Sequence, residues 1–174
     1  MTTIETTMTG ERADLLETLA SHRFFLRQTA RDLNDEQAAQ RTTVSELTIG
    51  GLIKHVAEAE RTWVDFILEG PAVMPVWTDP AVLEKHANDF RMVAGETLAG
   101  LLDEYEAVAR RTDDLVRTLP NLDASQPLPE APWFEPGARW SARRVLLHIV
   151  AETAQHAGHA DIIREALDGA KSMG

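Results

Sequence analysis

The feature that most constrains the fold is the segment from Trp140 to Leu167, in which titratable side chains recur at helical spacing. At about 100° per residue, His148, Glu152, His156 and His159 fall within about 80° of one another, on the stripe that a helix turns toward a core. The apolar members of that stripe are Val145, Ile163 and Ala166, and the opposite arc carries Arg143, Asp161, Arg164 and Glu165. Burying unpartnered polar groups is costly, and a metal ion is the commonest way to satisfy several at once. The segment therefore predicts a helix that carries a metal site.

Length and charge narrow the possible architectures and partners. A chain of 174 residues is expected to form a single domain over residues 1–174, with a flexible leader at 1–9 and a tail at 170–174. The chain lacks the roughly 20 consecutive apolar residues of a membrane span, and its start lacks the features of a signal peptide. We therefore expect a cytoplasmic protein without a membrane partner. The formal charge of −11 also argues against a nucleic-acid partner.

The absence of cysteine removes several kinds of chemistry. Structural disulfides, thiolate zinc sites and a catalytic protein thiol are all excluded. If this protein performs sulfur chemistry, the thiol must come from a substrate.

The periodicity predicts an all-α protein, an antiparallel four-helix bundle with long connections after its second and third helices. The first helix covers about Gly10 to Leu33, with its arginines on the polar side, and Asp35 to Gln37 opens a short extra turn. The second covers Thr48 to Leu68 and places His55 in the middle of its buried stripe. A loop with Gly50-Gly51 leads into this second helix.

Helical pattern resumes after Asp79-Pro80, which suit the cap and first position of a helix, and runs to about Leu119 with a break near residues 87–89. No regular element is expected over Asn121 to Gly137, a proline-rich stretch that contains Trp133. The last helix opens at Trp140-Ser141 with Ser141 as its N-cap, and Gly169 ends it.

The residues by themselves suggest a three-ligand metal site. Glu152 and His156 are four residues apart, so both project from one helix face, and His55 is the only histidine elsewhere that lies in the middle of a buried stripe. Two imidazoles and one carboxylate are a donor set that catalytic zinc accepts. The alternative is a bundle whose buried histidines are satisfied by hydrogen bonds. His22 and His86 are expected at the surface.

Two stretches carry a resemblance to a known family. GLIKHVAEAE in the second helix and HIVAETAQHAGHADIIRE in the last one resemble the DinB/YfiT-like superfamily, in particular its actinobacterial branch of mycothiol-dependent enzymes. The resemblance implies an up-down-down-up bundle that holds one divalent metal, zinc or alternatively nickel. It implies His55, Glu152 and His156 as ligands, with glutamate in place of a first histidine, as in the N-terminal domain of mycothiol-dependent maleylpyruvate isomerase.

The resemblance leaves the two other histidines of the last helix with open roles. His159 falls where many relatives have glutamine, so it is a candidate catalytic proton carrier, a substrate contact or a neighbour of the ligands. His148 is a candidate partner of the Glu152 carboxylate, or a packing residue. Arg91 and Trp133 are candidate substrate-binding residues, although Arg91 could be solvated and Trp133 could pin the connection to the surface.

The function implied by the resemblance is that of a mycothiol S-transferase. A metal-bound mycothiol thiolate would be conjugated to an electrophilic co-substrate, in detoxification, by a monomer or homodimer. Two alternatives use the same site: a metal-dependent hydrolase with a metal-bound water, and a non-catalytic metal-binding stress protein.

Overall fold

The protein is described here from a computed structural model that covers residues 10–173. The predicted leader at 1–9 and the last residue of the predicted tail, Gly174, lie outside the described residues. The helices are α1 (Gly10–Thr29), α2 (Asp35–Ala39), α3 (Ile49–Glu69), α4 (Pro80–Asp89), α5 (Leu98–Thr118) and α6 (Ala142–Asp168), with a 3₁₀ turn at Pro71–Val73. Two short strands, β1 (Ser125–Pro127) and β2 (Arg139–Ser141), form an antiparallel pair.

Side-chain caps fix the helix ends where the sequence predicts them. The Thr48 hydroxyl accepts from the backbone N–H of Gly51 at the start of α3, and Ser141 accepts from Arg144 at the start of α6. Asp79 caps α4, which begins at Pro80. Gly169 ends α6 in the left-handed conformation that glycine adopts without cost. Helix α1 ends at Thr29, four residues before the predicted Leu33.

The contacts between helices give the bundle its up-down-down-up order. Arg143 of α6 pairs with Glu11 of α1, and Arg164, near the other end of α6, donates to the Thr29 carbonyl at the end of α1, so these two helices are parallel. Helices α3 and α5 are parallel as well, since Arg61 pairs with Glu104 and Asp65 pairs with Arg111. Arg23 of α1 pairs with both Glu60 and Asp113, which orients α1 against α3 and α5.

This order explains both long connections. A chain that leaves α3 must return along the whole bundle before it can enter its parallel neighbour α5, and residues 70–97 with helix α4 provide that crossover. The connection from α5 to α6 contains the strand pair. The all-α bundle and its two long connections are therefore confirmed. Within residues 10–173, no helix is long and apolar enough to cross a membrane.

Two predictions about the connections are wrong. The break in the third helical region lies at residues 90–97 and not at 87–89, because Phe90 and Met92 leave the helix to pack against the core beside α3. The stretch Asn121 to Gly137 does contain a regular element, since β1 pairs with β2 through Gln126 and Trp140. Strands of three residues, one ending in proline, are too short for alternation to reveal them.

Two arginines predicted on polar helix faces are buried. Arg23 is 5% exposed and donates through Nε to Glu60 Oε2 at 3.3 Å and through Nη1 to Asp113 Oδ1 at 2.7 Å. Arg164 is 6% exposed and donates to the carbonyls of Thr29 and Arg31 at 2.8 Å and 2.7 Å. Both are tolerated because every buried charge meets a carboxylate or the free carbonyls at a helix end.

Candidate metal centre and its pocket

Two histidines, one from each of two helices, converge on one carboxylate oxygen of Glu152. His55 Nε2 of α3 lies 3.4 Å from Glu152 Oε1 of α6, and His156 Nε2, one turn further along α6, lies 3.3 Å from the same oxygen. One ligand atom from each of the three residues lies within 4.8 Å of the other two. The structure thus brings together the three residues that the sequence suggested as ligands.

The spacing of these atoms fits a small divalent ion. Ligand bonds of about 2.0–2.1 Å in a tetrahedron place neighbouring ligand atoms about 3.3 Å apart, close to the two separations from Glu152. Two neutral imidazoles and one carboxylate are also donors that zinc accepts in catalytic sites. The donor chemistry and the two separations from Glu152 therefore fit a divalent metal.

The electrostatics keep the central carboxylate ionised. Hydrogen bonds from His156 and then His55 hold the pKa of Glu152 well below its ordinary value of 4.5, against the opposing effect of burial. His156 is buried, whereas Glu152 is partly exposed. Glu152 is therefore an ionised carboxylate at the partly exposed edge of the cluster.

An aromatic ring holds His55 from behind. Phe90 stacks on the His55 imidazole with ring centroids 4.1 Å apart and an interplanar angle of 26°. Phe90 can lie this close to α3 because Gly51 has no side chain: a Cβ there would be 1.9 Å from the Phe90 carbonyl oxygen. The Gly50-Gly51 pair, placed by the sequence in a loop before the helix, lies inside the first turn of α3. Its role is to admit the residues that follow α4.

The second ring nitrogen of His156 points to His159. The two Nδ1 atoms lie 3.3 Å apart, so one of them carries a hydrogen and the other accepts it. While His156 Nε2 donates to the Glu152 carboxylate, His156 Nδ1 accepts from His159; a metal ion on Nε2 would require the opposite tautomer, in which His156 Nδ1 donates to His159. The structure places His159 behind a ligand and outside the pocket described next. Its catalytic role stays a prediction.

His148 packs among aromatic rings. Its imidazole makes edge contacts with Trp63 and Trp140, at centroid distances of 4.8 Å and 5.1 Å. Burial lowers the pKa of His148 below its ordinary value of 6.5. Of the two roles left open for it, packing is the one for which the structure shows direct contacts.

A pocket of about 280 Å³ lies directly over His55 and Glu152. Its walls come from α3, α4, α6 and the two long connections. The aromatic residues among them are Trp63, Trp77, Trp133 and Phe134, and the polar ones besides the ligands are Glu58, Thr62, His86, Asp89 and His148. A larger depression of about 540 Å³ between α1 and α5 is lined by none of the three ligand residues.

The other candidate residues divide into those inside and those outside this pocket. Trp133 lines it, with 60% of its surface exposed. Arg91 does not: its exposed guanidinium donates to Asn88 Oδ1. The expectation that His86 is exposed is confirmed only in part: 40% of its side chain is exposed, but its ring packs edge-on against Trp77 at 4.9 Å, and its Nδ1 lies 3.5 Å from the Asp89 carboxylate.

Sequence reasoning missed His86, Asp89 and Trp77. One usable signal was present: His86 and Phe90 are four residues apart, so a helix places both on one face. Which helix packs against that face could not be predicted from the sequence of α4 alone.

The sequence model of the mycothiol-S-transferase family matches residues 14–169, a range that includes all three ligand residues. Among solved structures, the chain is similar to the crystal structure of a conserved protein from Enterococcus faecalis, with a TM-score of 0.63 and 16% sequence identity. That similarity covers 91% of this chain and 97% of the other, and at this identity it supports the fold alone. A search of curated proteins gave no match.

Proposed function

The chain belongs to the mycothiol-S-transferase family, and from that premise we propose that it is a divalent-metal-dependent thiol S-transferase. It conjugates mycothiol to an electrophilic co-substrate, which serves detoxification. One observation carries the proposal: His55 and Glu152 face a pocket in which a thiol and its target can meet, and His156 completes their donor set.

The three residues hold the ion in this proposal, and zinc is the metal that their chemistry favours. His55 and His156 offer Nε2 and Glu152 offers Oε1, a set that also accepts nickel. When bound, the ion supplies Lewis acidity, which lowers the pKa of a coordinated thiol so that the nucleophilic form is present near neutral pH. The absence of cysteine from the chain agrees with a thiol that arrives as a substrate.

The chain's own residues orient this site. Phe90 fixes the plane of the His55 ring, and a proton on His156 Nδ1 donated to His159 would leave His156 Nε2 free to bind the ion. The single carboxylate of Glu152 offsets one of the two positive charges of a divalent ion. Trp63 and Trp77 line the pocket and limit the access of water to the reacting sulfur.

The decisive experiment measures metal content and conjugation together. The purified protein is analysed for bound metals and then assayed with mycothiol and a bimane electrophile, alongside His55→Ala and His156→Ala. We expect about one divalent ion per chain and conjugation in the wild type, and a loss of both in the two variants. His22→Ala is the matched control, because His22 lies on α1, outside the cluster.

Two outcomes would replace the proposal. Cleavage of ester or amide probes by metal-loaded protein that does not conjugate mycothiol would favour a hydrolase. Intact metal binding without turnover of any thiol or hydrolytic probe would favour a metal-binding module.

A further inference from the structure

The pocket over the metal centre has walls that are mostly aromatic and apolar. Trp77 contacts Trp133 edge-on at a centroid distance of 5.9 Å, and Trp133 in turn contacts Phe134 at 6.2 Å. Trp63, held by a stacked contact with Trp140 at 4.9 Å, lines the same pocket. Ala59, Met74, Pro75 and Pro129 supply the remaining apolar lining. Such rings suit a flat molecule, because aromatic pairs prefer offset-stacked or edge contacts.

The charges around the pocket are acidic. Glu58, Asp89 and Glu152 line it, whereas none of the described residues that line it is lysine or arginine. Lys85 and Arg61 pair with Glu58, so they compensate that one carboxylate. Asp89 is 9% exposed, and His86 Nδ1 is 3.5 Å from its carboxylate. With an ion and a thiolate in place, their charges and that of Glu152 would sum to zero, so Asp89 is the carboxylate that a negatively charged molecule would meet, with no lysine or arginine among the described lining residues.

The size of the pocket limits what can enter. A volume of about 280 Å³ lies at the lower end of the range for small-molecule sites, about 300–1,000 Å³. A thiol attached to a disaccharide-like carrier cannot lie fully inside together with a second substrate. The enclosed part therefore suits the thiol end and one small acceptor.

From these features we infer that the electrophile is flat, uncharged and of about the size of one substituted aromatic ring, and that the pocket discriminates against anionic acceptors. The inference rests on the proposed function and names the substrate class that this site takes. Trp77 supplies the surface on which the acceptor lies. Asp89 supplies the discrimination against negative charge.

A chloronitroaromatic compound illustrates the reaction. The thiol sulfur forms a C–S bond to the ring carbon that bears chlorine, the C–Cl bond breaks, and chloride leaves with the bonding electron pair. The thiol proton passes to the buffer. The products are a thioether, chloride and a proton, and no oxidant or reductant is needed.

The test compares two acceptors of similar size that carry an amide or a carboxylate at the same ring position. These are 4-chloro-3-nitrobenzamide, which is neutral, and 4-chloro-3-nitrobenzoate, which is an anion at pH 7. Each kcat/KM with mycothiol and metal-loaded protein is divided by the rate constant for the uncatalysed reaction of the same pair. We expect the corrected value for the amide to be at least about tenfold higher.

Two variants test whether Trp77 and Asp89 cause the preference for the neutral acceptor. Trp77→Ala should raise KM for the amide by about tenfold with little change in kcat, and Trp77→Phe should restore most of the loss, because the stacking surface returns. Asp89→Asn should narrow the preference for the amide by at least about threefold, mainly through faster reaction of the benzoate. Phe24→Ala, at an exposed position on α1, is the control, and bound metal is measured for every variant.

The outcomes separate this inference from the proposed function. Equal corrected rates, or a preference for the benzoate, would overturn the inference while the transferase remains. Conjugation of the bimane without conjugation of either nitroaromatic compound would also overturn it. Failure of all three electrophiles would remove the proposed function together with this inference.

Discussion

Replacing Gly51 by alanine tests whether the first turn of α3 positions the metal centre. A Cβ at this residue would lie 1.9 Å from the carbonyl oxygen of Phe90 and 2.6 Å from the backbone nitrogen of Arg91. Ordinary contacts begin near 3.4 Å, so the backbone must move by about 1.5 Å. Because the obstructing atoms belong to the main chain, no rotamer change can relieve the overlap.

Several bonds resist that movement. The Thr48 hydroxyl donates to the Phe90 carbonyl at 3.4 Å, and Lys54 Nζ donates to the Asn88 carbonyl at 3.3 Å and pairs with Glu96 at 2.7 Å. Overpacking costs about 1–3 kcal/mol, and loss of the stacked pair of Phe90 and His55 costs about 0.5–1.5 kcal/mol. We therefore expect the free energy of unfolding of metal-free Gly51→Ala to fall by about 2–4 kcal/mol.

The same displacement should weaken metal binding, because His55 loses the ring that orients it. We expect zinc affinity, measured by competition with a chromophoric chelator, to fall about 10–100-fold. Gly158→Ala is the matched control on α6, since nothing lies within 4 Å of a Cβ there, and it should keep its affinity and gain about 0.5–1 kcal/mol in urea unfolding. Unchanged stability and unchanged zinc affinity in Gly51→Ala would refute this account of the glycine.

Three further predictions follow from other contacts. Glu60→Gln, which leaves the buried Arg23 guanidinium without its main partner, should lower the free energy of unfolding by about 3–5 kcal/mol in urea titrations. His159→Ala should lower zinc affinity by about tenfold or more, whereas His159→Gln should keep most of it, because a glutamine oxygen can accept from His156 Nδ1. His148→Phe should remove part of the acid sensitivity of folding. Burial lowers the pKa of His148, so the unfolded chain binds its proton more tightly, and the wild type loses stability relative to the variant as pH falls below about 6.5.

Controls and refuting results differ among these three. The control for Glu60→Gln is Glu106→Gln, which breaks an exposed pair with Arg27 and should lower the free energy of unfolding by less than about 1 kcal/mol. If Glu60→Gln lowered it by no more than Glu106→Gln does, the large cost expected for breaking the buried pair would be contradicted. Equal zinc affinities of His159→Ala and His159→Gln would show that the hydrogen bond is unimportant. A stability difference between wild type and His148→Phe that is the same at pH 5 and pH 8 would contradict the effect of burial on His148.

The convergence of the three candidate ligands was the most predictable part of the site. His55, Glu152 and His156 lie on two long helices whose buried stripes follow from periodicity within each segment, and the family resemblance then selected among the histidines. Their convergence required only that α3 and α6 pack together. The pocket was much less predictable. His86 was expected in solvent because it lies close to the polar residues Lys85 and Asn88, and the inward face of the short helix α4 depends on where α3 lies.

The burial of charged side chains was the other feature that periodicity within a segment could not predict. Arg23 shares its helix with other arginines at the same apparent spacing, and its burial depends on Glu60 of α3 and Asp113 of α5. Residues so distant in sequence leave no signal in either segment. The same is true of Arg164, whose acceptors are the backbone carbonyls that α1 leaves free where it ends.

The helices and the long connections contribute different parts of the site, and this determines which changes in sequence can alter its substrate. The ligands lie on α3 and α6, rigid elements on which metal geometry is held closely, whereas Trp77 and Trp133 lie on the two long connections. Parallel neighbours in the bundle require the crossover, so a wall beside the metal centre is a consequence of the topology. Changes in the connections can therefore alter the acceptor without disturbing the metal, whereas a change at Phe90, which stacks on His55, affects both.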